Sequence, residues 1–147
     1  MVHTVKGDVF TSGADIIAHG VNCKGGFGSG VAGIIAKRYP EVRNAYMMKF
    51  KLPGWQLGDV QFVMKNDGKL IANCATQRAY LPRGPRHADY NAIRECMMKV
   101  RDFAKEKNLT IAIPKIGCGL AGGEWKVVKK ILAEVFDTTD ITVYSLD

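Results

Sequence analysis

The chain has no run approaching the roughly twenty apolar residues of a membrane span. Its opening, Met1-Val2-His3-Thr4-Val5-Lys6, lacks the apolar centre and small-residue cleavage site of a secretory signal. A cytoplasmic or otherwise intracellular protein with no membrane partner is expected. The four cysteines, Cys23, Cys74, Cys96 and Cys118, form no Cys-x-x-Cys pair, so neither a zinc knuckle nor a thioredoxin-type motif is visible. Reduced and mostly buried thiols follow for a cytosolic protein. No Gly-Lys-Ser/Thr follows a glycine loop, which excludes a P-loop. Internal repeats, low-complexity tracts and Ser- or Pro-rich linkers are also missing. Acidic side chains are the scarcer charge, 14 against 21 Lys and Arg, leaving a formal net charge of +7. Such a surface draws anions: nucleotides, nucleic acid or acidic proteins. The basic residues are scattered, however. They are densest at Arg78, Arg83 and Arg86 and at Lys126, Lys129 and Lys130, where solvated faces also account for them.

What is present suffices for a core. The 147 residues are 47% hydrophobic, so the expectation is one domain spanning residues 1–147. Short β-branched runs read as strands at Thr4–Val5, Ile16–Val21, Val60–Met64, Leu70–Ala75, Thr110–Pro114 and Ile141–Leu146. Tyr90, Ile93, Met97, Val100 and Ala104 share one helical face. Asp89 is its natural N-cap and Asn108 its end. Val127, Val128, Ile131, Leu132, Val135 and Phe136 form a second such face. Val31–Tyr39 reads as a shorter helix stopped at Pro40, and Glu41–Phe50 as another. Asp67-Gly68 marks a hairpin turn between the third and fourth strands. Elsewhere strands alternate with helices, which predicts crossovers and parallel pairing. The expected fold class is α/β, a three-layer α/β/α domain with a mixed, mostly parallel sheet.

Two glycine-rich stretches hold the functional signal: Asn22-Cys23-Lys24-Gly25-Gly26-Phe27-Gly28-Ser29-Gly30 and Gly117-Cys118-Gly119-Leu120-Ala121-Gly122-Gly123. Each lies between a strand and a helix. Glycine leaves backbone N–H groups open to an anion, and the following helix adds its positive end. Ligands in such sheets bind beyond the carboxyl ends of the strands. Two such loops therefore suggest a clamp for a diphosphate; the alternative is that the glycines only permit tight turns. Gly28-Ser29-Gly30-Val31-Ala32-Gly33 formally matches the dinucleotide fingerprint, but the loop is too long. About twenty residues on, the chain reads Leu52-Pro53-Gly54-Trp55, with no acid for a ribose. Asp8, in Gly7-Asp8-Val9, is placed either to accept from a base amino group or to cap a turn. His19, three residues before Asn22, suits proton transfer or attack on phosphorus, or a structural bond to a carbonyl. No metal-ligand cluster and no cofactor signature are visible in the sequence.

In order along the chain, Gly7-Asp8-Val9, His19-Gly20-Val21-Asn22-Cys23, Gly28-x-Gly30-Val31-Ala32, Pro114-Lys115-Ile116-Gly117-Cys118-Gly119-Leu120 and the ending Ile141–Leu146 resemble the macro domain family. The likeness is closest to the branch holding the human terminal ADP-ribose glycohydrolase and the fungal ADP-ribose 1''-phosphate phosphatase. It implies a pocket for ADP-ribose or ADP-ribose 1''-phosphate. Asp8 would take the adenine amino group, with Gly7 and Val9 beside it. Gly28, Ser29, Gly30, Val31 and Ala32 would hold the diphosphate, with Val21 and Phe27 adjoining. Ile116, Gly117, Cys118, Gly119, Leu120, Ala121 and Gly122 would enclose the diphosphate and distal ribose. Leu146 would line the pocket, Asn22 would contact the distal ribose and His19 would match the histidine implicated in phosphatase catalysis. The glycohydrolase branch instead uses a lysine near Ala75-Thr76-Gln77 and an aspartate where Ala121 stands, and both are missing here. The expectation is thus a monomeric phosphatase acting on ADP-ribose 1''-phosphate. Two alternatives stay open: a non-catalytic reader of ADP-ribose, and a hydrolase freeing ADP-ribose from protein, nucleic acid or O-acetyl adducts.

Overall fold

A computed structural model of the chain describes residues 1–82, 84–118 and 121–146. Six strands form one sheet: β1 (Val2–Lys6), β2 (Ile16–Asn22), β3 (Val60–Met64), β4 (Leu70–Gln77), β5 (Ile111–Ile113) and β6 (Ile141–Ser145). Their spatial order is β1-β6-β5-β2-β4-β3. Every pair is parallel except β3–β4. That hairpin turns at Asp67-Gly68, where Asp67 Oδ1 accepts from the Lys69 N–H and Gly68 adopts φ 83°.

The helices are α1 (Gly30–Arg38), α2 (Pro40–Lys51), α3 (Tyr90–Lys107) and α4 (Trp125–Val135). Pro40 ends one helix and opens the next, since its fixed φ and missing N–H suit a first helical position. Asp89 caps α3 by accepting from the Ala92 N–H at 2.9 Å, and Asn108 ends it in the left-handed region. Both were legible from residue type.

Alternation along the central strands builds two cores. Ile16 and Ala18 of β2 and Ala72 and Cys74 of β4 pack under α3 and α4. Ile17, Val21, Ile71 and Ala75 face the other way, onto Ile35 of α1 and Val42 and Tyr46 of α2. Both faces of the central strands are covered, as parallel strands require. This gives the three layers expected. It also aligns the carboxyl ends of β2, β4 and β5 at one edge, where both glycine loops emerge. The strand ends differ modestly from expectation: β4 runs on through Gln77, and β5 shortens to Ile111–Ile113.

Candidate active site

A cleft of about 1000 Å³ opens at that edge. Of the residues expected at a site, its wall brings together His19, Val21, Asn22, Phe27, Gly28, Ser29, Gly30, Val31 and Ala32 from the first side. From the second side come Ile116, Gly117, Cys118, Ala121 and Gly122. Gly119 and Leu120 lie outside the described residues.

The first loop is shaped by Asn22. Its Oδ1 accepts from the Lys24 N–H at 2.9 Å and the Gly26 N–H at 3.1 Å, and its Nδ2 donates to the Gly26 carbonyl at 2.7 Å. Tyr46 supports it from α2. The Tyr46 hydroxyl donates to the Asn22 carbonyl at 2.7 Å and accepts from the Gly25 N–H at 3.1 Å. Burial pushes this phenol up to about 12, so it stays a donor. The bonds on the Asn22 side chain thus stitch the loop and tie it to Tyr46.

Beyond the loop α1 starts without a side-chain cap, although Ser29 occupies the capping position. The first N–H groups of a helix have no acceptor within the helix. Those of Gly30, Val31 and Ala32 therefore sit beside the cleft, where the helix dipole adds positive potential. The third glycine of the motif, Gly33, lets the loop cross the helix: a Cβ there would stand 3.0 Å from the Gly28 carbonyl oxygen. Gly28 itself meets no such demand, because a Cβ at this position would point into open space.

The second loop closes on itself and on the segment before α3. The Gly123 N–H donates to the Gly117 carbonyl at 2.8 Å, and the Ala121 carbonyl accepts from the His87 and Ala88 N–H groups. Here the glycines answer partly to packing. Any Cβ at Gly123 would collide with the Gly117 carbonyl oxygen, so the turn reading applies to this position. Burial pushes the thiols of Cys23 and Cys118 up, which keeps both protonated and poorly nucleophilic.

His19 forms part of the cleft floor and is 1% exposed. Its Nε2 lies 2.6 Å from Asn73 Oδ1, while the Phe27 ring stands edge-on at 5.5 Å. Burial pushes the imidazole down to about 4, against the opposing effect of the Asn73 bond. Among the described residues Nδ1 has no hydrogen-bond partner, and neither does Thr76 Oγ1 in the same wall. A buried polar atom without a partner costs on the order of 1–3 kcal/mol. Such atoms call for a water, a substrate group or a catalytic role.

Gly7, Asp8, Val9 and Leu146 are not in the cleft wall. They follow β1 and β6, which lie three and two strands away from β2. Asp8 Oδ1 accepts from the Phe10 N–H at 2.9 Å and caps a 3-10 turn over Val9–Thr11, so its side chain adopts the capping role. Val9 is buried, and Leu146 stands 81% exposed. In their place the wall includes Gly20, Gly26, Thr76, Gln77, Tyr80, Leu81, Gly84, Pro114 and Lys115. Sequence reasoning missed Thr76 because it is the extra residue of an irregularity: β2 and β4 slip register between Val21 and Asn22. Tyr80 and Leu81 follow β4 in a segment with no periodic signal. Among the described residues, no group of three or more His, Cys, Asp or Glu is arranged to hold a metal.

The layers, the open helix start and the second glycine loop define an α/β/α domain with a cleft at the carboxyl ends of its strands. The macro domain family profile matches residues 18–132, and the chain belongs to that family. The ADP-ribose glycohydrolase OARD1 of Homo sapiens is 30% identical over 146 residues, spanning 97% of this chain and 90% of its own length. The ADP-ribose 1''-phosphate phosphatase of Candida albicans is 26% identical over 155 residues, spanning 98% of this chain and 99% of its own. The solved macrodomain of Mycobacterium tuberculosis DarG superposes with a TM-score of 0.86 at 26% identity, covering 98% of this chain and 97% of that one. The family thus includes hydrolases of ADP-ribose compounds similar to this chain along nearly its whole length.

Proposed function

We propose that the cleft binds ADP-ribose 1''-phosphate and releases its terminal phosphate. The observation that carries the reading is His19 Nδ1, a buried nitrogen without a partner, in the floor of a cleft whose rim is the uncapped start of α1. The backbone N–H groups of Gly30, Val31 and Ala32 hold the diphosphate. The protein's net charge of +7 assists capture of the anion.

An imidazole that titrates near 4 is neutral at neutral pH, so its bare nitrogen suits a nucleophile better than a general acid. In the proposed step the Phe27 ring swings aside and Nδ1 attacks phosphorus. The N–P bond forms as the bond from phosphorus to the distal ribose oxygen breaks, and that oxygen takes a proton from water. A second water then attacks phosphorus, the N–P bond breaks, and phosphate leaves with the imidazole neutral again. Thr76 Oγ1 is the second unpartnered polar atom of the wall and donates to the substrate in this reading.

The burial of His19 favours a second reading, a non-catalytic reader of ADP-ribose in which Phe27 keeps the imidazole covered. Calorimetry with ADP-ribose, AMP and NAD tests the shared part. ADP-ribose binds tightest, because only it offers both a diphosphate and a free distal ribose. Equal affinity for AMP would remove the diphosphate cradle. Phosphate release from ADP-ribose 1''-phosphate by wild type and His19→Gln separates the two readings. Turnover that falls at least about a hundredfold while ADP-ribose still binds supports the phosphatase. Binding without turnover in the wild type supports the reader. Release of ADP-ribose from modified protein or DNA without phosphate release would move the chain to the adduct hydrolases.

A further inference from the structure

Three polar side chains lie side by side across three neighbouring strands. Gln61 of β3 pairs in register with Asn73 of β4, and Asn73 pairs with His19 of β2. Their side chains join into one chain of hydrogen bonds that ends on α2. Gln61 Nε2 donates to the Ala45 carbonyl at 3.0 Å, Asn73 Nδ2 donates to Gln61 Oε1 at 3.0 Å, and Asn73 Oδ1 meets His19 Nε2 at 2.6 Å. Asn73 is fully buried, and among the described residues no other bonds its side chain.

The direction of this chain is forced from its far end. A backbone carbonyl only accepts, so Gln61 must turn its NH2 toward Ala45 and its oxygen toward Asn73. Asn73 must then donate to Gln61 and present its own oxygen to His19. An amide oxygen only accepts as well, so Nε2 of His19 must carry the hydrogen. In a neutral imidazole the other nitrogen is then bare. Flipping either amide would set oxygen against oxygen at one end, at the cost of a buried hydrogen bond.

We propose that Asn73 and Gln61 are positioning residues that hold His19 as its Nε2–H tautomer and so present the Nδ1 lone pair as the nucleophile. The inference deepens the phosphatase reading and rests on it for its catalytic meaning, although the tautomer itself can be measured without turnover. Nothing in the order of residues along the chain reveals the relay: Gln61 and Asn73 lie 42 and 54 residues from His19, and only strand register brings them into line.

Nitrogen-15 spectra of histidine-labelled protein near neutral pH provide the test. In the wild type Nε2 of His19 gives a protonated, pyrrole-type shift and Nδ1 a bare, pyridine-type shift. Gln61→Met frees the Asn73 amide to flip, and His19 then shows a mixture of tautomers. Asn73→Leu removes the acceptor for Nε2–H and loses the wild-type pattern. With ADP-ribose 1''-phosphate as substrate, Gln61→Met lowers kcat about tenfold or more and leaves KM within about a factor of two, because the substrate meets the same cradle. A wild-type Nδ1–H pattern would overturn the relay, as would an unchanged single tautomer in Gln61→Met. If the relay pattern is found but His19→Gln turns over normally, the relay stands and the phosphatase mechanism falls. Should Asn73→Leu fail to fold, Gln61→Met on the half-buried strand β3 carries the test alone.

Discussion

His19 is held neutral in the folded protein at a pH where the unfolded chain would protonate it. The imidazole takes up its proton near 6.5 when exposed and only near 4 in the fold. Between those values the unfolded state binds the extra proton, so stability rises with pH across the window. The contribution is complete above pH 6.5 and is lost as pH falls toward 4. Between pH 7 and 4.5 the wild type should lose about 2–3 kcal/mol more unfolding free energy than His19→Gln. Urea denaturation of both proteins at the two pH values measures this; parallel losses would mean that the buried imidazole titrates normally. The same property predicts that the acid limb of phosphate release lies well below the usual histidine range. Tyr46 acts at the same scale: its ring stands tilted to Phe27 at a centroid distance of 4.9 Å and stacks on Trp55 at 5.1 Å, while its hydroxyl binds the backbone of the glycine loop.

At the scale of the element, the first loop and α1 are separable from the fold's own needs at one informative position. Gly33 is favoured by the fold itself, since a Cβ there would crowd the Gly28 carbonyl oxygen at 3.0 Å. Gly28 is required by nothing in the described chain: its φ is not positive, and a methyl group there would touch no atom within 4 Å. Gly28→Ala should therefore keep the wild-type unfolding free energy to within about 0.5 kcal/mol, the usual range for harmless surface changes. It should weaken ADP-ribose by about tenfold or more, because the methyl group takes up room beside the uncapped helix start. Paired calorimetry and thermal melts check both halves. Full affinity in this variant would show that the ligand stays clear of the first loop. The loop itself was legible in the sequence, because its bounds come from local signals: a β-branched run, five glycines between residues 25 and 33, and Pro40 closing the helix that follows. The role of Asn22 was less so. An asparagine ahead of a glycine loop suits a ligand or a turn equally, and only the positions of Gly26 and Tyr46 show its amide engaged.

For the molecule as a whole, the cleft joins loops from both halves of the chain, so a ligand there should stabilise the entire fold. At one hundred times its dissociation constant, a ligand specific to the native state adds about 2.7 kcal/mol to the unfolding free energy. Urea titrations with and without ADP-ribose should show that gain as a higher midpoint at constant slope. An unmoved midpoint would place the ligand elsewhere or nowhere. The three layers, the hairpin at Asp67-Gly68 and the two glycine loops could be read from residue order, because periodicity, capping and turn chemistry act over a few neighbours. Family membership followed from the same short motifs taken in order. Other features were settled by packing alone. Asp8 turned its carboxylate to the Phe10 N–H, Leu146 was left in solvent, and Thr76 entered the cleft wall through a slip in strand register. The rung from Gln61 through Asn73 to His19 belongs with them. Its members are distant in the chain, and hydrogen bonds reach only about 3 Å, so their partnership exists only once the strands have paired.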